Sequence, residues 1–281
     1  MLIEIESLID IIKLTLQTAY VKHLDTPVNL LIIAKPESGK TKAMEYVAFK
    51  IKGTYITNNL TQSVVVSKIL PMIEFHGLKH LVIPDILNAI QKDKRTQQGF
   101  VNMIKTLIEE GITSLDTFHM RTHKVYDPPI KCGLITAITT DSYYGHYNEK
   151  TQRTEGGVKH YWKRIGLASR FVPFSYEYEI AKIVKIFKLI DNEEYHKPMK
   201  TQTIIRKMTE VKGNPRLFEQ LTMLSVEVGR HVGGYGIRAK KSLQALCKAN
   251  VLLNHRTKVT QEDIDKILKL GNWINYKFNP L

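Results

Sequence analysis

The sequence predicts an α/β protein: a three-layer core on a parallel sheet over residues 1–176, followed by an all-helical domain over 177–281. Three observations carry this reading. Short apolar runs recur at 28–33 (VNLLII), in 80–85 (HLVIPD) and at 133–140 (GLITAITT), as expected for strands buried on both faces. Segments of helical periodicity lie between them, the alternation that builds a parallel sheet. After Tyr178 no strand-like run appears, and helix-compatible segments take over.

The elements follow in order. Ile5, Leu8, Ile9, Ile12 and Leu16 recur at helical spacing and predict a helix over 4–23. A buried strand is predicted over 28–33, a helix over 40–52 that stops near Gly53, and a short strand over 54–57. Residues 61–76 read as a helix interrupted by Pro71, which lacks a backbone donor. The strand in 80–85 is followed by a helix over 97–110 that ends at Gly111. Alternation over 112–131 predicts a β-hairpin, and the strand at 133–140 comes next. Residues 142–164 read as a long polar, aromatic and basic loop, and a further strand is predicted at 171–174. Helices are predicted over 178–191, 200–210, 215–231, 237–254 and 260–270, the last opened by a capping-box pattern at Thr260 and Asp263.

The most informative stretch is 30–41, LLIIAKPESGKT. An apolar run ends in Ala-x-x-x-x-Gly-Lys-Thr and a helix follows, the strand–loop–helix setting of a phosphate-binding P-loop, with Ala34 in place of the first glycine. Pro36, Glu37, Ser38, Gly39, Lys40, Thr41 and Lys42 are the candidate contacts to the phosphates of ATP. Backbone N–H groups of the turn and the positive end of the next helix suit phosphate. Gly39 allows close approach, Lys40 reaches the β and γ phosphates, and Thr41 offers a hydroxyl to Mg²⁺. Asp85, at the end of the second apolar strand, is where a P-loop enzyme holds Mg²⁺.

Composition narrows the setting. A chain of 281 residues, 43 % hydrophobic and 24 % charged, can bury a core without staples. Its cysteines, Cys132 and Cys247, make neither a disulfide framework nor a zinc spacing, so a cytoplasmic location is expected. The N-terminus is acidic and amphipathic, unlike a signal peptide, and no apolar run approaches a membrane span, so no membrane partner is expected. The net charge of +14 speaks of partners: phosphate is the target it suits, and ATP alone does not require so much charge. Nucleic acid or an acidic membrane face would each supply that phosphate, and DNA is the expected macromolecular partner.

The order of the motifs resembles the AAA+ ATPases, most like the branch of the MCM helicases and the MoxR and chelatase-like proteins, in a compact form of phage or mobile-element type. The resemblance spans about 28–270. It implies a ring, expected to be a hexamer, with ATP at subunit interfaces. It implies a polar "sensor 1" at Thr140, with Thr139 as backup, after the third apolar strand. The triplet Ser169-Arg170-Phe171 is similar to the arginine-finger segment of MCM helicases, which makes Arg170 the finger, with Arg164 second. Arg238, at the start of a helix over 237–254, resembles sensor 2, acting on its own or a neighbour's γ phosphate. The stretch 259–264 (VTQEDI) is similar to the end of the MCM lid domain. The catalytic set so implied is Lys40, Asp85, Thr140, Arg170 and Arg238. One residue departs from the family: Ile86 follows Asp85, where a glutamate usually polarises the attacking water. Either a carboxylate enters from elsewhere, with Glu109 and Glu110 as candidates, or hydrolysis is slow.

The hairpin at 112–131 matches hairpins that line the central channel in that branch, and His119, Arg121 and Lys124 are candidate DNA contacts on it. The histidine pairs His76/His80 and His119/His123 lack an H-E-x-x-H context, so no zinc is expected. Tyr143, Tyr144, Tyr147 and Tyr161, set among Lys150, Arg153, Lys159, Lys163 and Arg164, suit either base stacking or a subunit contact. Residues 197–216 are the densest basic stretch. The expected function is an ATPase acting on DNA as a helicase, translocase or helicase loader, with an accessory replication or mobile-element protein as a further candidate partner. The alternatives are a protein-remodelling MoxR-like ATPase and a slowly or non-hydrolysing ATP-switched DNA scaffold.

Overall fold

The computed structural model describes residues 5–49, 51–87, 94–117, 122–148, 153–192 and 204–281. Its centre is a six-stranded sheet built from β1 (Leu30–Ala34), β2 (Thr54–Ile56), β3 (His80–Ile83), β6 (Gly133–Thr139), β9 (Val172–Glu177) and β10 (Asn279–Pro280). Every pairing in it is parallel, in the order β10-β9-β1-β6-β3-β2. Two antiparallel hairpins stand outside it: β4 (Ile112–Thr117) with β5 (Thr122–Ile130), and β7 (His146–Asn148) with β8 (Arg153–Glu155).

Strand periodicity sorts the buried side chains onto two faces. Leu30, Ile32 and Ala34 point into one apolar cluster, which also holds Val82, Ile135, Ala137 and Phe174. Leu31 and Ile33 point into the other, with Leu81, Ile83, Leu134 and Ile138. The first cluster is covered by α1 (Glu6–Thr18) and α2 (Lys40–Ala48), and by two later helices, α11 (Ile237–Leu253) and α12 (Gln261–Leu270). Helix α1 lies along α11, so the first and last parts of the chain share one core. The second cluster is covered by α3 (Gln62–Val64), a π-helical turn (Val65–Ile69), α4 (Leu70–His76), α5 (Lys94–Lys105) and a second π-helical turn (Thr106–Glu110). The remaining helices are α6 (Thr140–Tyr144), α7 (Lys159–Arg164), α8 (Ile180–Asp191), α9 (Pro215–Glu219) and α10 (Thr222–Val232), with a 3₁₀ turn at Ala168–Arg170.

Several sequence expectations are corrected. Pro71 does not interrupt the helix over 62–76; a π-helical turn at Val65–Ile69 precedes it, and the helical run continues through the proline. The loop predicted over 142–164 contains α6, the β7–β8 hairpin and α7. Two of its aromatic residues are core: Tyr143 and Trp162 are fully buried and meet edge to face, with centroids 6.0 Å apart. Tyr143 also stacks on Tyr276 at 5.9 Å, and the Tyr144 hydroxyl donates to the Tyr276 carbonyl at 2.7 Å. Tyr143 is therefore available neither for base stacking nor for a subunit contact, whereas Tyr144 is only partly buried.

The chain after Tyr178 is not wholly helical either. β10 adds a strand beside β9. Where a helix is expected over 200–210, residues 204–214 run without one, past the end of α1 and the start of α12. Buried Gln17 holds that run: its amide donates to the Ile205 carbonyl and accepts from the Ile205 N–H, both at 2.9 Å. The helix expected over 215–231 breaks at Gln220-Leu221 into α9 and α10. The capping box at Thr260 forms, with Asp263 in place of the usual longer acid. Asp263 is fully buried and fully used. It accepts from Thr260 N at 2.9 Å, Asn250 Nδ2 at 2.7 Å and Arg256 at 2.7 Å.

Candidate functional site

The candidate site lies at the C-terminal end of β1, where neighbouring strands depart to both sides and open α/β sheets bind ligands. β1 is buried along its whole length, and the chain turns sharply after Ala34. Glu37 (φ 59°) and Gly39 (φ 82°) take left-handed backbone conformations, and α2 starts at Lys40. Lys35, Pro36 and Glu37 are exposed, Ser38 is buried, and Thr41 and Lys42 lie exposed in the first turn of α2. No acid occupies that first turn, so its unpaired N–H groups face no competing carboxylate of their own helix. Lys42 pairs with Glu45 at 3.5 Å on the surface.

Lys40 curls back over the loop. Its ammonium donates to the carbonyls of Ala34 at 2.9 Å and Lys35 at 2.6 Å, and to Ser38 Oγ at 3.1 Å. Burial lowers its pKa to about 8, against the opposing pull of the Asp85 carboxylate. That pull brings Asp85 and Lys40 into one electrostatic neighbourhood. Asp85 follows the end of β3, and its Oδ1 accepts from Leu87 N at 2.9 Å. Ile86 is buried in the second apolar cluster. Its N–H donates to the Ala137 carbonyl at 3.2 Å, which ties the residue after Asp85 to the middle of β6.

Thr139 pairs with Ala34 in the sheet, which sets the end of β6 beside the start of the loop. The Thr139 hydroxyl caps α6 and contacts Ser142 Oγ at 2.7 Å. The next hydroxyl, Thr140 Oγ1, is buried and has no hydrogen-bond partner among the described residues. A buried hydroxyl without a partner carries a desolvation cost that a polar ligand can relieve. Thr140, not its backup Thr139, is thus the uncommitted donor at this strand end.

Arg170 and Arg238 lie at the opposite end of the sheet. Val172 pairs with Leu30 at the start of β1, whereas the loop follows Ala34 at its end. At about 3.3 Å per residue, Arg170 stands on the order of 20 Å from the loop of its own chain. Its side chain is 9 % exposed; its guanidinium contacts Glu109 at 2.6 Å and donates to Glu110 at 2.7 Å and to the Gly166 carbonyl at 2.6 Å. Arg238, with a side chain 52 % exposed, pairs with the same Glu109 and reaches Ser169 Oγ at 3.4 Å. Both glutamates considered as replacements for the residue at Ile86 are therefore partners of these arginines, far from the loop of their own chain.

Asn29 organises this end, and its polar side chain inside an apolar run is the sequence signal for it. Its Oδ1 accepts from Leu134 N at 2.9 Å, and its Nδ2 donates to the carbonyls of Arg170 at 3.1 Å and Ile108 at 3.3 Å. The arginines line a cleft of about 650 Å³ with Lys131, Lys241 and Lys248, against the acids Asp25 and Glu109.

Of the candidate DNA contacts, His119 and Arg121 lie outside the described residues. Lys124, on β5, is tied to α4: it pairs with Glu74 at 2.6 Å and sits 5.2 Å from the ring centres of Phe75 and Tyr126. Arg206, Lys207, Lys212 and Arg216, from the basic stretch, are exposed. Among the described residues, no helix is long and apolar enough to cross a membrane. No known family model matches the chain, and no curated protein matches it in sequence.

Proposed function

We propose that this chain is a P-loop ATPase of the AAA+ type that works as a ring, expected to be a hexamer, and acts on DNA. The observation that carries the reading is the loop over 34–41: it leaves a buried central strand, turns through two left-handed residues and enters a helix whose first turn has no acid. Lys40 would exchange its three loop acceptors for the β and γ phosphates of ATP. Thr41 and Asp85 would hold Mg²⁺, whose charge would offset that of the phosphates. Asp85 fits because, among the described residues, only its Oδ1 is engaged, by the Leu87 N–H. Thr140 would donate its unpartnered hydroxyl to the γ phosphate or the attacking water.

The distance between the loop and the arginines supports a shared site. Neither Arg170 nor Arg238 reaches the nucleotide of its own chain, so this end of the sheet would serve a neighbour's. Arg238 has the freer side chain and would make the contact first, while Arg170 would hold Glu109 behind it. The cationic cleft around them suits a phosphate-bearing partner surface. The helices over 180–270 would serve as the lid of the family, although those over 215–270 share a core with α1. The net charge of +14 and the exposed cations over 206–216 support DNA as the object acted upon.

Steady-state ATP hydrolysis, with and without single- or double-stranded DNA and with Lys40→Ala as the blank, tests the proposal. DNA-stimulated turnover is the expected result. Turnover indifferent to DNA would favour protein remodelling. ATP bound without turnover would favour a switch or scaffold, the reading that buried Ile86 supports.

A further inference from the structure

Two phenols, one on β9 and one just past its end, meet on one backbone carbonyl of the loop. The Tyr176 hydroxyl donates to Ser38 O at 2.8 Å, and the Tyr178 hydroxyl donates to the same oxygen at 2.9 Å. Tyr176 is fully buried and Tyr178 partly so, with ring centres 5.9 Å apart. Burial pushes the pKa of both phenols up, that of Tyr178 to about 12, so both keep their protons near neutral pH.

The carbonyl they hold sits between the two left-handed residues, Glu37 and Gly39. A loop that cradles an anion presents N–H groups to it and must turn its carbonyls elsewhere. A buried carbonyl turned away from the ligand needs donors of its own. Ser38 O has both of its lone pairs met by the phenols. β9, which carries Tyr176 and leads into Tyr178, is also braced from its outer side. Asn279 pairs with Tyr176, Leu281 N donates to Glu177 O at 3.1 Å, and Ser175 N donates to Trp273 O at 2.9 Å.

We infer that Tyr176 and Tyr178 are positioning residues for the phosphate-binding loop: together they hold the Ser38 carbonyl back so that the N–H groups of the loop face a nucleotide phosphate. This rests on the reading of residues 34–41 as a P-loop. Because one donor still satisfies one lone pair, each phenol partly covers for the loss of the other.

The test uses the full chain and measures ATP affinity by calorimetry, in the presence of Mg²⁺, for wild type, Tyr176→Phe, Tyr178→Phe and the double variant. Thermal midpoints are measured on the nucleotide-free proteins. Each single change is expected to weaken ATP by about threefold or less, and the double change by about tenfold or more, beyond the product of the singles. The nucleotide-free midpoints should fall by only a few degrees. A double variant that binds ATP like wild type overturns the inference while leaving the P-loop reading in place. So does a lower midpoint with unchanged affinity of the folded protein, which would mark the phenols as structural only. If wild type binds no ATP, the P-loop reading falls and this inference falls with it.

Discussion

Replacing Arg170 and Arg238 separately by alanine should divide a structural arginine from one presented to a neighbour. The Arg170 side chain is 9 % exposed and contacts Glu109, Glu110 and the Gly166 carbonyl. Breaking a buried ion pair costs about 3–5 kcal/mol. Two features reduce that figure here: Glu110 is 56 % exposed, and Arg238 remains to pair with Glu109. A loss of about 2 kcal/mol is the resulting expectation. For a chain of this size that lowers the melting temperature by roughly 4–8 °C. Arg238 is 52 % exposed, so Arg238→Ala should cost less than about 1 kcal/mol and shift melting by roughly 4 °C or less. Thermal unfolding measures both values, and ATP turnover is then followed on the folded variants. Arg238→Ala should bind ATP and fail to hydrolyse it. Mixing it with Lys40→Ala should restore turnover, because in the proposed ring a mixed assembly would pair an intact loop from one chain with an intact arginine from the next. Normal turnover by Arg238→Ala, or a mixture of folded variants that stays inactive, would refute the shared-site reasoning.

Two further predictions concern pH. His80 is fully buried, and neither ring nitrogen has a hydrogen-bond partner among the described residues. Burial lowers its pKa to about 4, against the weaker pull of the nearby Val28 backbone. Below about pH 6.5 the unfolded chain takes up a proton that the folded chain refuses, so this residue should remove about 3 kcal/mol of stability between pH 6.5 and 4. Urea denaturation of wild type and His80→Leu across that range checks it; equal slopes would show that His80 is not the cause. Lys40, lowered to about 8 by burial, is charged below that pH in the ligand-free protein and neutral above it. ATP affinity should therefore hold steady up to about pH 8 and then fall by up to roughly tenfold per unit. An affinity unchanged up to pH 9.5 would contradict this role for the lysine.

The strands are legible in the sequence because their runs are apolar on both faces, and so is the loop, because its residues are neighbours in the chain. The bounds of β1, β3 and β6 lie close to those expected from 28–33, 80–85 and 133–140. The segment over 142–164 misleads because its aromatics stand among lysines and arginines. Local composition looks like a binding loop, whereas the partners that bury Tyr143 include Tyr276, far along the chain. β10 gives no signal because a two-residue strand has no periodicity to detect. Arg170 and Arg238 are recognisable as candidates, yet nothing local shows that they share Glu109 or stand away from the loop of their own chain.

Residue type and short-range spacing suffice for the parallel α/β core, for the strand–loop–helix at 30–41 and for the basic character of the chain. Which groups meet is a matter of the folded chain. Folding buries Ile86 in the apolar layer, leaves the Thr140 hydroxyl without a partner among the described residues and brings Tyr176 and Tyr178 onto the Ser38 carbonyl. It also sets both arginines at the far end of the sheet from the loop. Parallel strands are joined only by long crossovers, so the residues gathered at either end of the sheet come from distant parts of the chain, and their encounter is fixed by packing rather than by local preference.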